Sequence, residues 1–414
     1  MKKDTIINLE DRVSNESKSV LDVLLRAGAR QMLQSAIENE VTEYVESNKT
    51  EKDEKKHRLV TRNGSLPERD IQTGVGLLRI KQPRVKDNRE SYSFTSHILP
   101  PYMRRVPSID ALIPALYLKG ISTGDMQEAL ESILGSKAIG LSPTNIVRLK
   151  EGWAEDYEVW QKRDLSKKKY VYFWADGIYF NVRLEKDRPC ILVIIGTLED
   201  GTKELVAVHD GHRESKLSWQ EVLQGLKDRG LKEGPKLAVG DGGLGFWAAL
   251  EEEYPGTRIQ RCWVHKTANI LDKMPKRVQP HAKQKIHEIY LAPTQEDALD
   301  AYDSFLELYK AKYPKACECL CKDRDVLFTF YDFPAEHWNH LRSTNPIEST
   351  FATVRHRTRQ TKGCGSRKAT MMMVFKLAEQ AQKHWRRING YQLITKVIEG
   401  TVFKDGTIEK TKAA

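Results

Sequence analysis

Tyr170-Val171-Tyr172-Phe173-Trp174-Ala175-Asp176-Gly177-Ile178-Tyr179-Phe180-Asn181-Val182 is a near-continuous apolar run with one acid inside it. Such a run reads as a buried strand, and burying a carboxylate there is costly unless it is paired or binds a cation. The competing reading is plain: Asp-Gly between two apolar runs is also the strongest short hairpin signal. Both readings stand at this point. Cys190–Leu198 is a second apolar strand, Asp200-Gly201 a turn, and Glu204–Val208 the returning arm of a hairpin. Leu217–Arg229 has helical spacing, with Leu217, Val222, Leu223 and Leu226 inward and Gly230 as the stop. Lys236–Val239 is a short strand that ends in Gly240-Asp241-Gly242-Gly243, and a helix through Phe246, Trp247, Leu250 and Glu253 follows. Arg258–Val264 makes a fifth strand. The order β-β-β-α-β-α-β predicts an α/β fold with a mixed sheet under helical cover.

The flanks read differently. Glu16–Ser47 carries Leu21, Leu24, Leu25, Met32, Ala36, Val41, Tyr44 and Val45 at helical spacing, for packing or dimerisation. Lys49–Lys56 is a charged linker, and Arg62-Asn63-Gly64 opens a turn-rich stretch before a β-like run at Val75–Ile80, with Arg84, Lys86 and Arg89 trailing it. Helical patterns return from Ser108, and the helices around Ile121–Lys150 form either a DNA-reading helix-turn-helix or an ordinary helical hairpin. From Lys266 to Phe330 the strands stop and helical spacing takes over.

The 414 residues suffice for two or three domains with real cores. Lys and Arg outnumber Asp and Glu by 67 to 57, and the excess of +10 favours an anionic partner. It is concentrated: between Arg355 and Arg387 there are ten Lys/Arg and one acid, Glu379. The close set Arg355, Arg357, Arg359, Lys362, Arg367 and Lys368, with Arg342 before it, reads as a phosphate track. Six cysteines without a signal peptide suggest reduced thiols and a cytoplasmic setting. The longest apolar run, Cys190–Ile195, is far too short to span a bilayer, so no membrane partner is expected.

A third acid stands in Asn345-Pro346-Ile347-Glu348-Ser349-Thr350-Phe351-Ala352-Thr353-Val354-Arg355. Ile347, Phe351 and Val354 give one helical face, with Glu348 at its edge and Arg355 two turns on. The bland alternative is a capping box, in which Glu348 returns to the N–H of Asn345. Asp241, ending a strand in a glycine-rich loop, is either an ordinary turn residue or a ligand at a strand end. Converging carboxylates suit Mg²⁺, and two such ions serve in-line phosphoryl transfer.

Trp174-Ala175-Asp176-Gly177, Gly240-Asp241-Gly242, Arg261-Cys262-Trp263-Val264-His265 and Thr344-Asn345-Pro346-Ile347-Glu348-Ser349 together resemble the Mutator-type DDE transposases of bacterial insertion sequences. The resemblance runs from about Leu24 to Gly406, and the Glu-x6-Arg spacing to Arg355 fits it. It implies an RNase H-like core interrupted by an all-α insertion and preceded by mainly helical modules for DNA binding and dimerisation. The implied divisions are 1–60 helical, 61–105 small and β-containing, 106–165 helical, 166–265 core, 266–340 insertion, 341–390 core with the glutamate helix, and 391–414 tail. Asp176, Asp241 and Glu348 are the implied catalytic and metal-binding triad for Mg²⁺, with Mn²⁺ able to substitute. The implied partners are the element's terminal inverted repeats and target DNA, bound by a dimer or larger assembly in the bacterial cytoplasm, on the nucleoid when DNA is held. Arg355 is the implied phosphate contact. Cys262, His265 and Trp338 belong to the signature without a derivable role; zinc would need two more ligands than Cys262 and His265 supply, and a core position is the plain reading of Trp338. The alternatives are a transposase-derived protein that only binds DNA, and a nuclease of the same fold.

Overall fold

The computed structural model describes residues 20–119, 121, 125–134, 143–180, 190–211, 213–360 and 366–409. The chain divides into two compact units, 1–147 and 148–414.

In the first unit, helix α1 (Val20–Ser47) is followed by β1 (Val60–Ser65), β2 (Arg69–Thr73), β3 (Gly76–Ile80), β4 (Pro83–Asp87), α2 (Pro107–Leu118) and α3 (Met126–Leu134). The strands form two antiparallel pairs, β1 with β4 and β2 with β3. Arg62-Asn63-Gly64 lies inside β1 rather than opening a turn; the irregularity is taken up where the register shifts between Arg62 and Ser65, with Gly64 at φ +68°. Ile37 of α1 packs with Ile71, Leu78, Ile80 and Leu99. The helical face expected from the sequence is only partly inward, since Leu21, Leu24, Leu25 and Met32 are exposed. Arg89 is consumed by the fold: it donates to Asp87 Oδ1 and Oδ2 and to Asn48 Oδ1 at 3.0, 2.8 and 2.6 Å. The link residues 122–124 and 135–142 of the possible helix-turn-helix lie outside the described residues.

The division between units falls within α4 (Pro143–Gln161), after which β5 (Tyr170–Tyr179), β6 (Cys190–Leu198), β7 (Lys203–Gly211), α5 (Lys216–Asp228), β8 (Leu237–Gly240), α6 (Leu244–Glu253) and β9 (Arg258–Arg261) follow in the expected order. The sheet runs β7-β6-β5-β8-β9, antiparallel on the β6–β7 side and parallel on the β8–β9 side. Asp176-Gly177 is no turn: it pairs with Val193 and Leu192 inside the β5–β6 ladder. The sheet is covered on both faces, which is why β5 is apolar throughout rather than alternating. Phe173 and Ala175 face a core with Trp219, Val222, Leu223 and Leu226 of α5 and Phe246, Ala249 and Leu250 of α6. Leu217, expected inward, is 71% exposed; it is the second residue of α5, whose buried positions start at Ser218 and Trp219.

The fifth strand is shorter than expected. It stops at Arg261, Cys262 takes the capping position, and Trp263 already opens α7 (Trp263–Leu271). Helices α8 (Gln279–Leu291), α9 (Gln295–Tyr309), α10 (Pro314–Cys321), α11 (Arg324–Leu327) and α12 (Trp338–Leu341) come next, then α13 (Asn345–Gln360), α14 (Arg367–Gln382) and α15 (Ile394–Ile398). The chain closes with a hairpin of β10 (Phe403–Lys404) and β11 (Thr407–Ile408). Its Asp405-Gly406 turn has both residues at positive φ, as a two-residue turn of this type requires.

Candidate active site

Strand β5 aims every second side chain at one partner segment. The hydroxyl of Tyr172 donates to Nδ1 of buried His337 (2.8 Å), whose Nε2 donates to the Gly390 carbonyl (2.9 Å). Trp174 Nε1 donates to the His340 carbonyl (2.8 Å). The next position on that face is Asp176. The parallel register Ala175↔Gly240↔Arg261 then puts Asp176, Asp241 and Cys262 side by side, where β8 and β9 end beside the continuing β5. Each aspartate Oδ1 accepts the N–H of the glycine that follows it, Gly177 at 2.9 Å and Gly242 at 2.6 Å. Neither residue can point elsewhere without losing that bond.

Glu348 arrives on the first turn of α13. Ile347, Phe351 and Val354 are buried as their spacing demands. The helix starts one residue earlier than expected, because the Thr344 carbonyl accepts the N–H groups of Ile347 and Glu348 at 2.9 and 3.0 Å. Glu348 is therefore not the partner of the Asn345 N–H. Its Oε1 accepts the Thr344 hydroxyl at 3.2 Å, and His265 Nε2 lies 3.9 Å away.

Buried Cys262 supports the same residue from below. Its Sγ accepts the Thr344 N–H (3.3 Å) and lies 3.4 Å from the Thr344 hydroxyl, which in turn is 3.5 Å from His265 Nδ1. The Cys-x-x-His pair thus belongs to the bed of Glu348. Cys262, His265 and Glu348 offer ligand atoms within 4.8 Å of one another. Cys317, Cys319 and Cys321 lie on α10 as free thiols.

The electrostatics follow from crowding. Burial, reinforced by the charges of Asp241 and Glu348, pushes the Asp176 carboxyl up to about 6, while His265 and the Gly177 N–H work the other way. Among the described residues no lysine or arginine pairs with Asp176. Burial opposes a charged His265, yet Cys262, Asp241 and Asp176 outweigh it and lift the imidazole to about 9. Burial would raise the Cys262 thiol as well, but His265 beside it and the Thr344 bond draw it down. Asp241 is held by Arg261, whose side chain is 3% exposed and lies 2.5 Å from it. Asp323 steadies that guanidinium (3.3 Å) and also takes buried Lys266 (2.7 Å).

A fourth carboxylate, which the sequence reading missed, stands here. Glu214 follows β7 and precedes Ser215, the cap of α5 whose Oγ accepts the Ser218 N–H. A β-carbon on Gly177 would come within 1.9 Å of Glu214 Oε1, and one on Gly243 within 3.4 Å of its Oε2. Burial first, then Asp176 and Asp241, push this carboxyl up to about 7, against His265 and the Gly177 N–H. In sequence it is one polar residue in a polar connection, and no local signal marks it.

Several members of the expected basic track are paired with acids or packed into the fold. Arg355 and Lys368 are exposed. Arg367 pairs with Asp210 at 2.5 Å, and Lys376 with Asp156 and Glu379 at 2.7 and 2.8 Å. Nothing is described of the Arg357 and Arg359 side chains, and Lys362 lies outside the described residues. Arg342 is packed over the rings of Phe330 and Trp338, at 4.9 and 5.2 Å from their centres. Trp338 is itself a core residue, edge-on to Phe330 and Tyr331 and donating to the Phe333 carbonyl at 2.8 Å.

The family model described as transposase, Mutator family, matches residues 1–388. The chain belongs to the Mutator family of transposases. It is 49% identical over 297 residues to the transposase for insertion sequence element IS6120 of Mycolicibacterium smegmatis, covering 72% of this chain and 91% of that one. It is 51% identical over 281 residues to the transposase for insertion sequence element IST2 of Acidithiobacillus ferrooxidans, covering 68% and 95%. Among solved structures, the magnesium complex of the HTLV-2 integrase catalytic core domain aligns at 15% identity over 32% of this chain and 93% of that one, with a TM-score of 0.17. That likeness is too slight to argue from. Among the described residues no helix is long and apolar enough to cross a membrane.

Proposed function

We propose that this chain is an active insertion-sequence transposase. It binds the terminal inverted repeats of its element and, with Mg²⁺, cuts DNA strands and joins the freed ends to target DNA. The observation that carries the reading is that Asp176 and Asp241 stand on adjacent parallel strands and that Asp176 feels the charge of both Asp241 and Glu348, the latter on the first turn of α13. The sheet order, with a central β5 between an antiparallel pair and a parallel pair, supports the expected RNase H-like core, of which α7–α12 would be the all-α insertion.

The residues fit a hard cation. The donors are carboxylate oxygens, Asp176 has no lysine or arginine partner among the described residues, and the space a β-carbon would take at Gly177 is given to a further carboxylate, that of Glu214. Asp176, Asp241 and Glu348 would hold Mg²⁺, or Mn²⁺ in its place, which supplies activation of the attacking oxygen and charge stabilisation at the phosphate. The chain's own contributions can be named. Arg261 fixes Asp241 from a buried position. Thr344, seated on Cys262, fixes one oxygen of Glu348. His265, carrying a proton, offsets the repulsion among the carboxylates. Asp176 would hold the cation as the ionised carboxylate, the form that a neighbouring positive charge favours. Arg355, Arg357, Arg359, Lys362 and Lys368 form the proposed phosphate track; Arg342 and Arg367 serve the fold instead.

The test is excision in cells. A donor plasmid carries a marker interrupted by the DNA that flanks this reading frame, and the chain is supplied in trans. Wild-type chain restores the marker. Asp176→Asn, Asp241→Asn and Glu348→Gln each lower the frequency more than about a hundredfold at equal protein level, since even outer contacts of a metal site cost 10–100-fold. Excision that persists in all three variants overturns the reading. A wild-type chain that occupies the ends without ever excising favours the DNA-binding alternative.

A further inference from the structure

We infer that Glu214 is a fourth carboxylate ligand of this site, closing it on the side of Asp176 and Asp241 that Glu348 does not occupy. The inference rests on the cation reading of the preceding section. Its basis is the backbone. Asp176 is followed by Gly177 and Asp241 by Gly242-Gly243. The carboxylate of Glu214 fills the space that side chains at Gly177 and Gly243 would take, with Oε1 toward the first and Oε2 toward the second. Because successive β5 side chains alternate across the sheet, Asp176 turns toward α13 while position 177 turns toward α5. Glu214 therefore reaches the aspartates from the opposite face to Glu348.

The approach is built in. Gly245, on the first turn of α6, lets the 214–216 backbone come so close that a β-carbon there would meet the Glu214 carbonyl oxygen, the Ser215 carbonyl carbon and the Lys216 nitrogen at 2.7 Å. A larger residue at 245 would push Glu214 out of the site. Ser215 caps α5 with its own hydroxyl, so Glu214 is not needed as a cap. Among the described residues no lysine or arginine pairs with Glu214. A bland role remains to be separated from this one: a brace that only takes the Gly177 N–H and steadies β5. A brace and a ligand differ in what their loss changes. A brace contributes to stability without cation, whereas a ligand contributes to cation affinity.

The experiment is a Mn²⁺ titration of the full chain, read from the EPR signal of free Mn²⁺, for wild type, Glu214→Gln, Gly177→Ala, Asp176→Asn and Asp241→Asn. Each variant is also melted in chelator. Glu214→Gln is expected to weaken Mn²⁺ binding at least about tenfold without lowering the melting temperature in chelator. Gly177→Ala, whose β-carbon displaces Oε1, weakens it in the same way. Affinity within twofold of wild type for Glu214→Gln, beside lost binding in both aspartate variants, overturns the role of Glu214 and leaves the triad standing. Wild-type affinity in the aspartate variants overturns the cation site itself. Affinity that falls only in step with the melting temperature in chelator, in both Glu214→Gln and Gly177→Ala, assigns Glu214 to bracing and overturns the inference.

Discussion

Removing the charge of Asp176 should make the cation-free protein more stable. The Asp176→Asn side chain has the shape of the protonated acid and keeps an oxygen to accept the Gly177 N–H. The wild-type carboxyl is lifted from its ordinary value near 3.8 to about 6, first by burial and then by Asp241 and Glu348. At about 1.4 kcal/mol for each tenfold change in proton affinity, ionising it in the folded state costs at most about 3 kcal/mol. The folded state binds this proton more tightly than the unfolded state. Wild-type stability therefore falls as pH rises from about 4 to about 6 and stays lowered above that. The asparagine variant escapes the loss. In urea denaturation with chelator, its advantage should approach about 3 kcal/mol at pH 8 and vanish near pH 4. Added Mg²⁺ should stabilise the wild type, as any ligand of the folded state does, and should do less for the variant. A variant that is less stable at pH 8, or one whose difference does not change with pH, refutes the reasoning.

Thr344→Val keeps the size of the side chain but removes the hydroxyl that holds Glu348; strand cleavage should fall roughly 10- to 100-fold with the unfolding midpoint nearly unchanged. Tyr172→Phe leaves His337 Nδ1 buried without its donor, which should cost about 1–3 kcal/mol in urea denaturation. Trp338→Ala empties a position packed against Phe330 and Tyr331 and should cost about 3–5 kcal/mol; a stable variant with only weakened DNA binding would instead make Trp338 a base-stacking residue.

What the sequence revealed and concealed follows from the range of the interactions. The strands of the sheet and α13 are legible because burial on both faces, or on one helical stripe, writes itself into local apolar pattern. Asp176 stands out for the same reason: it is the lone acid in a run that must be buried. The end of β9 is not legible locally, because Cys262, Trp263 and Val264 are as apolar as a strand, while the capping role of Cys262 depends on the Gly240 carbonyl that receives its N–H. Strand β1 was hidden because its residues are mostly polar and exposed, so its pairing with β4 leaves no pattern. Glu348 looked like half of a capping box because Thr344, the true cap, lies one residue before the one assumed. Arg367 and Lys376 looked unopposed because their acids, Asp210 and Asp156, lie far away in sequence. Glu214 left no trace at all, since its site is made by glycines distant in sequence, Gly177 within β5 and Gly243 at the start of α6.

The most direct measurement is strand cleavage and joining by purified protein. Labelled DNA carrying the ends of the element is incubated with Mg²⁺ and wild type, Asp176→Asn, Asp241→Asn or Glu348→Gln. The account predicts nicking and joining by the wild type, loss of both in all three variants, and end binding that survives in each. Cleavage that persists in Glu348→Gln, with that variant folded and bound to the ends, would contradict it and return Glu348 to a structural role.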